Sequence, residues 1–381
     1  MSNPLFPPFD PDQALQVALI GYGSAAKVFH APLISGVAGL ALACISSSRP
    51  DDVLRDWPQV RVVAAPQQAF EDAAIDLVVI ATPNDSHYQL ALAALQAGKH
   101  VVVDKPCTVT LAETEHLLAV AAQRGRVLTV FQNRRFDADF LALQQVLASG
   151  ALGRVVQMAS HFDRYRPVVP RRWREQNQPG SGLWVDLGPH LVDQALVLWG
   201  MPDAISLDLA CLRDGAQVND WFHAVLRYDS AHAGLRVILH ASTLVAETGP
   251  RWAVHGTLGS FTKFGLDGQE DALKTGQRPQ LDALANWGVD PLPGQVLCME
   301  SIAGAAAPVS VRQVAPHPAG NYLNYYANLR DHLRGQADLL VSPQQVRQVM
   351  LVLTLGEQSA LQGRVVPSGN PEGLRLSRSG R

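Results

Sequence analysis

Over the first third of the chain, short apolar or β-branched runs alternate with longer stretches of helical spacing. The runs Val17–Ile20, Leu40–Ile45, Val60–Ala64, Leu77–Ala81, His100–Val103 and Val127–Phe131 predict strands. Between them, Tyr88–Ala97 and Leu111–Gln123 carry apolar residues at helical intervals, and the first stops at Gly98, as a helix C-terminus should. This alternation predicts βαβ units and a parallel, Rossmann-like sheet over residues 1–133.

From Arg134 the rhythm changes. A helix (Ala138–Ala148), a strand (Val155–Phe162), a basic Pro-containing loop and a second helix (Pro189–Trp199) come first. Strands then follow without regular helices between them: Ile205–Leu212, Trp221–Tyr228, Leu235–Ala241, Arg251–His255 and Ser260–Lys263. The pattern predicts an α+β domain over 134–381 built on a mainly antiparallel open sheet, one face of which is left for helices or a partner subunit. Gly265–Pro293, rich in Gly, Pro, Asp and Gln, predicts an ordered surface excursion, and two helices (Tyr322–Arg334, Gln344–Leu361) close the chain.

A length of 381 residues suits two such domains. With 47% hydrophobic and 17% charged residues the chain can bury a core, so wholesale disorder is excluded. A net charge of −3 gives no field favouring nucleic acid or an anionic membrane. Cys44, Cys107, Cys211 and Cys298 are far apart and form neither a disulfide framework nor a zinc motif. The amino terminus lacks the basic start and apolar run of an export signal, and no segment has the length of a membrane span, so a cytoplasmic protein is expected.

After the first strand stands Gly21-Tyr22-Gly23-Ser24-Ala25-Ala26, a G-x-G-x-x-A opening a helical segment. The first glycine permits the tight turn, the second lets the backbone approach a pyrophosphate, and the small Ala26 allows close packing, with the anion at the helix N-terminus. Where an NAD-specific site would place Asp or Glu, the second strand ends in Ser46-Ser47-Ser48-Arg49. Small hydroxyls and a guanidinium suit a 2′-phosphate, so NADP is the expected cofactor and NAD the less favoured one. In the competing reading Arg49 is solvated and Asp51 or Asp52 reaches the ribose.

Several segments together resemble the Gfo/Idh/MocA oxidoreductases: the first turn with His30-Ala31-Pro32, Ala81-Thr82-Pro83-Asn84-Asp85-Ser86-His87, Ala97-Gly98-Lys99-His100-Val101-Val102-Val103-Asp104-Lys105-Pro106, and Asp186-Leu187-Gly188-Pro189-His190. The resemblance covers essentially the whole chain. It is closest to the subgroup containing NADP-dependent scyllo-inositol dehydrogenase, through Gln132-Asn133-Arg134-Arg135, Arg164-Tyr165-Arg166-Pro167, Arg172-Trp173-Arg174-Glu175 and Asp267–Leu273. It implies a Rossmann domain, an open-sheet domain that often joins subunits into dimers or tetramers, and nicotinamide chemistry on a polyol or sugar. It also implies a catalytic trio of Lys105, Asp186 and His190. Asp104 departs from the family's usual Glu before the lysine. The family also contains dinucleotide-binding regulators without catalysis, which is the alternative function, and glycosidases that use NAD transiently.

The residues themselves admit the same chemistry. Lys105 follows the fifth strand, at the sheet edge where ligands of doubly wound folds gather, and can stabilise charge on a substrate oxygen; the plain alternative is a solvated lysine paired with Asp104. His190 follows Pro189, taken as the first helical residue, so the positive helix end should keep the imidazole neutral and able to accept a proton. Asp186, placed just before that helix, would orient His190. Asp193 adds only a second possible ligand, so no metal site is expected. Thr82, Pro83, Asn84 and His87, after the fourth strand, are expected at the cofactor together with Gly21–Ala26, Ser47, Ser48, Arg49 and Lys105; Ser86 could instead cap the next helix. The arginine-rich Arg164–Arg174 segment is read as a loop over the active site or as a solvated loop pinned by Glu175. Asn133, Arg135, Tyr165 and Trp173 are the expected substrate contacts.

Overall fold

The computed structural model describes residues 13–300 and 309–369. Six strands form the first sheet: β1 (Leu15–Ile20), β2 (Leu40–Ser46), β3 (Arg61–Val63), β4 (Leu77–Ile80), β5 (His100–Val103) and β6 (Leu128–Val130). Their order is 3-2-1-4-5-6 and every pairing is parallel. The chain reverses direction of travel across the sheet between β1 and β4, and ligands of such sheets collect beyond the carboxyl ends of the strands at that point.

Nine strands form the second sheet: β7 (Val155–His161), β8 (Ala204–Ala210), β9 (Trp221–Tyr228), β10 (Leu235–Ser242), β11 (Trp252–Gly256), β12 (Gly259–Lys263), β13 (Gln295–Glu300), β14 (Val309–Val314) and β15 (Val366–Pro367). All neighbours are antiparallel except β7 and β10. Phe222, Ala224, Leu226 and Tyr228 of β9 are buried, while the alternating His223, Val225 and Arg227 are half-buried, so one face packs on the helices Leu183–Trp199 and Pro343–Gln362 and the other is less covered. The sheet therefore has the expected open character.

Three features differ from the sequence reading. The helix expected to begin at Pro189 begins at Leu183, so Pro189 lies inside it. Asn219 causes the earlier start: its main-chain oxygen accepts from Leu183 N–H and its Oδ1 from Trp184 N–H, both at 2.8 Å. Trp184 and Leu187 are buried by the added turns, each contributing about 1.5–3 kcal/mol, enough together to offset the roughly 3 kcal/mol cost of an internal proline. Second, Gly265–Pro293 is not merely a surface excursion. It contains the helix Gln269–Lys274 and buries Leu273, Trp287 and Asp290. Third, β13 and β14 extend the sheet beyond the strands read from sequence: β13 carries the short apolar run Val296–Met299, and in β14, at the sheet edge, polar residues separate Val309, Val311 and Val314.

Candidate active site

The turn after β1 packs against the end of β4. Gly21 has φ +91°, and a Cβ there would lie 2.9 Å from Ala81 O, so only glycine fits. A Cβ on Gly23 would meet nothing within 4 Å, which leaves the backbone open to a ligand at the start of the following helix, where amides lack intrahelical acceptors. Ala26 is fully buried beneath it. These features fit a dinucleotide diphosphate. Arg49 lies at the end of β2, mostly exposed, and donates to Tyr22 O at 3.2 Å; Ser47 Oγ accepts from its N–H. Asp52 faces Lys27, Arg49 and Arg55 at 3.7, 3.5 and 3.0 Å, and the Arg55 hydrogen bond leads in holding its carboxyl below the usual range.

Lys105, Asp186 and His190 line one cleft of about 220 Å³ with Ser24, Ala25 and Asn133. Lys105 Nζ donates to the main-chain oxygen of Asp186 at 2.6 Å and to its Oδ1 at 3.0 Å. Burial alone would raise the Asp186 carboxyl, but Lys105 and Arg174 hold it far below the usual carboxylate range. His190 is 6% exposed, and its Nδ1 has no hydrogen-bond partner among the described residues. Burial, then the charges of Lys105 and Arg134, push the imidazole well below its ordinary value, so it is neutral at physiological pH. The helix terminus is not the cause, because His190 sits mid-helix; Asp186 occupies the first turn instead. No hydrogen bond joins Asp186 to His190, and the carboxylate positions Lys105 rather than the imidazole.

Asp104 Oδ1 accepts the Lys105 N–H at 2.8 Å. Its Oδ2 is 3.9 Å from Nε2 of His30, a fully buried ring whose Nδ1 shares a 2.6 Å hydrogen bond with the Tyr326 hydroxyl. Despite burial, His30 and Lys105 bring the Asp104 carboxyl down to about 2. The shorter acid thus still anchors the lysine's backbone, and leaves a gap to His30.

Other expected site residues are placed differently. Arg135 grips Asp193 with two hydrogen bonds, at 2.7 and 2.6 Å, and also donates to Leu340 O, so it is a buried clamp outside the cleft lining. Tyr165 is 59% exposed, and neither it nor Trp173 lines the cleft. His87 is fully buried with a main-chain carbonyl at each ring nitrogen, Pro106 O and Thr82 O, which makes it a buckle under the loop. Asn84 donates to Gly180 O, and the buried Tyr22 donates its hydroxyl to Asp56. Ser86 does not cap its helix; its hydroxyl donates to Pro83 O and meets Thr82 Oγ1.

The cleft instead receives Arg134, Arg164, Arg166, Arg172 and Arg174, with Glu270 and Lys274 from the Gln269–Lys274 helix. A signal for part of this was present: in an extended segment side chains alternate, so Arg164 and Arg166 share the side opposite Tyr165. Arg134 is held by Asp137 at 3.1 Å and Glu270 at 2.5 Å. A larger cavity of about 540 Å³ lies elsewhere, near Trp199 and Leu152; its only titratable lining residues are Arg154 and His232, so it lacks a comparable set of groups.

Comparison with known proteins places the fold that carries this cleft. Residues 15–132 match the model of the oxidoreductase family with an NAD-binding Rossmann fold, and residues 144–367 that of its C-terminal alpha/beta domain. The Escherichia coli K12 oxidoreductase YdgJ is 51% identical over 347 residues, 91% of this chain and 96% of that one. The Bacillus subtilis 168 scyllo-inositol 2-dehydrogenase (NADP(+)) IolW is 36% identical over 352 residues, 92% and 95% of the two chains. A solved oxidoreductase structure from Yersinia pestis superposes with a TM-score of 0.86 at 48% identity, covering 93% of this chain and 97% of the other.

Proposed function

The chain belongs to the Gfo/Idh/MocA oxidoreductase family, and on that footing we propose that it is an NADP-dependent dehydrogenase interconverting a secondary alcohol and a ketone on a polyol or sugar of inositol type. The observation that carries the reading is the cleft itself, in which a neutral buried histidine and a carboxylate-held lysine face the open phosphate-binding turn.

In this reading Gly21, Gly23 and the first helical turn take the cofactor diphosphate, and Ser47, Ser48 and Arg49 take the 2′-phosphate. Lys27, Arg49 and Arg55 around Asp52 favour a phosphate there over a ribose hydroxyl seeking a free carboxylate. When bound, the nicotinamide supplies a two-electron hydride acceptor or donor. His190 takes the hydroxyl proton, a role open to an imidazole that burial keeps unprotonated. Lys105 donates to the substrate oxygen and stabilises its developing charge, while Asp186 fixes the ammonium. Subunits of a dimer or tetramer would meet on the half-buried face of β9 and β10, which a solution mass measurement checks.

The test follows reduced-nicotinamide absorbance with NADP and NAD across inositol isomers, common aldoses, and their acidic and phosphorylated forms. NADP-dependent turnover of one cyclic polyol or sugar is expected. Tight cofactor binding with no turnover on any compound would favour a regulator, and no binding of either cofactor would overturn the reading.

A further inference from the structure

Charge accounting in the cleft does not close. Its lining holds seven basic side chains against three acidic ones. Lys105 and Arg174 share Asp186, Arg134 pairs with Asp137 and Glu270, Lys274 with Glu270 and Asp271, and Arg172 faces Glu175. Arg164 and Arg166 have no carboxylate within 4 Å among the described residues; the Arg164 guanidinium lies 4.8 Å over the Phe162 ring.

The backbone holds this pair in place. Arg164 N–H donates to Ser242 O at 2.9 Å, Arg166 N–H to Thr243 O at 2.7 Å, and Arg164 O accepts from Val245 N–H. An extended segment pinned on both sides of Tyr165 presents both arginines to one side, the side that lines the cleft. Burial, then the neighbouring Arg166, lowers the Arg164 guanidinium to about 10, and the charges of Asp186 and Glu270 offset this only in part. Arg134, 5% exposed in the same lining, keeps its Nε without a hydrogen-bond partner among the described residues.

We propose that Arg164 and Arg166 form an anion seat beside Lys105 and His190, and that the substrate carries the group that fills it, a carboxylate or a phosphoryl group. This rests on the dehydrogenase reading above and narrows its substrate to an acidic or phosphorylated sugar or polyol. Guanidinium forks match the planar geometry of a carboxylate and the oxygens of a phosphoryl group, and two of them without partners beside the reacting end are placed to recognise such a group. The same chemistry is available from the cofactor diphosphate, since Ser24 and Ala25 line the same cleft.

The test uses the full chain and its Arg164→Gln and Arg166→Gln variants, with Arg171→Gln, an exposed arginine of the same loop outside the cleft lining, as comparison. Matched pairs, glucose against glucuronate and glucose against glucose 6-phosphate, are assayed by steady-state kinetics. NADPH affinity is read by fluorescence titration. Calorimetric titration of inorganic phosphate and of glucuronate into NADPH-loaded protein gives a readout independent of turnover. The proposal expects tenfold or better preference for an anionic member, erased by either cleft variant while NADPH affinity holds. A tenfold loss of NADPH affinity in the cleft variants, without anionic preference, would overturn the substrate assignment and give the seat to the cofactor diphosphate. Cleft variants matching Arg171→Gln within twofold in every titration would overturn it. Absence of turnover with anion binding that still depends on Arg166 would sink the dehydrogenase reading and leave the seat standing.

Discussion

Lys105 and Asp186, 81 positions apart, are joined twice, Lys105 Nζ donating to both the main-chain oxygen and the carboxylate of Asp186. The lysine comes from the end of a Rossmann strand and the aspartate from the first turn of a helix that packs on the second sheet, so the pair ties the two sheets together at the cleft. Asp186→Asn keeps the shape and removes the charge. We expect kcat to fall about 10²-fold, the scale of a misplaced proton-handling group, with NADPH affinity unchanged and partial recovery in Asp186→Glu. Steady-state kinetics beside a fluorescence titration check this; an unchanged kcat would remove Asp186 from the positioning of Lys105.

Arg135 and Asp193 should matter for stability alone. Their two-pronged bond is buried, and leaving one partner uncompensated typically costs about 3–5 kcal/mol. Asp193→Asn is expected to lower the denaturation midpoint accordingly and to leave cofactor affinity within twofold. Loss of affinity without loss of stability would return Arg135 to the site.

Arg49 is exposed, and its guanidinium donates to Tyr22 O and faces Asp52 at 3.5 Å, so its removal should disturb the fold little. Arg49→Gln is expected to weaken NADPH binding about tenfold, the worth of one charge-assisted contact, and to leave NADH binding unchanged. Equal effects on both cofactors would contradict the 2′-phosphate assignment.

His100 sets an acid limit on stability. Burial leads the causes that lower its imidazole to about 3, and its Nδ1 accepts the Val127 N–H at 3.1 Å, which requires the unprotonated ring. An unfolded histidine gains its proton near pH 6.5, so no penalty exists above that value and stability is lost progressively as pH falls from about 6.5 toward 3. Thermal melts between pH 7 and 5 should show this decline. His100→Gln should make it shallower, the buried His87 and His190 supplying the remainder; an unchanged slope in that variant would locate the effect elsewhere.

The strands of the first sheet and the glycine turn were legible because apolar runs and backbone demands are local. The start of the helix bearing His190 was not. It depends on Asn219 capping Leu183 and Trp184 from 35 positions away, and Pro189 gave a stronger local signal for the wrong boundary. The same limit explains Arg135, whose partner Asp193 lies 58 positions on, and Asn84, whose amide is taken by Gly180 across 96. Which arginine of a run faces a cleft is set by such distant pairings. For Arg164 and Arg166 the alternation of an extended segment carried part of the answer.

On the proposed function, His190, kept neutral by burial, handles the substrate proton. The direct measurement is single-turnover nicotinamide absorbance with wild type and His190→Ala, each first shown by fluorescence titration to bind NADPH. The expected result is a 10²–10⁴-fold slower chemical step in the variant, with cofactor affinity unchanged. A chemical step of near-normal rate in His190→Ala would contradict the account.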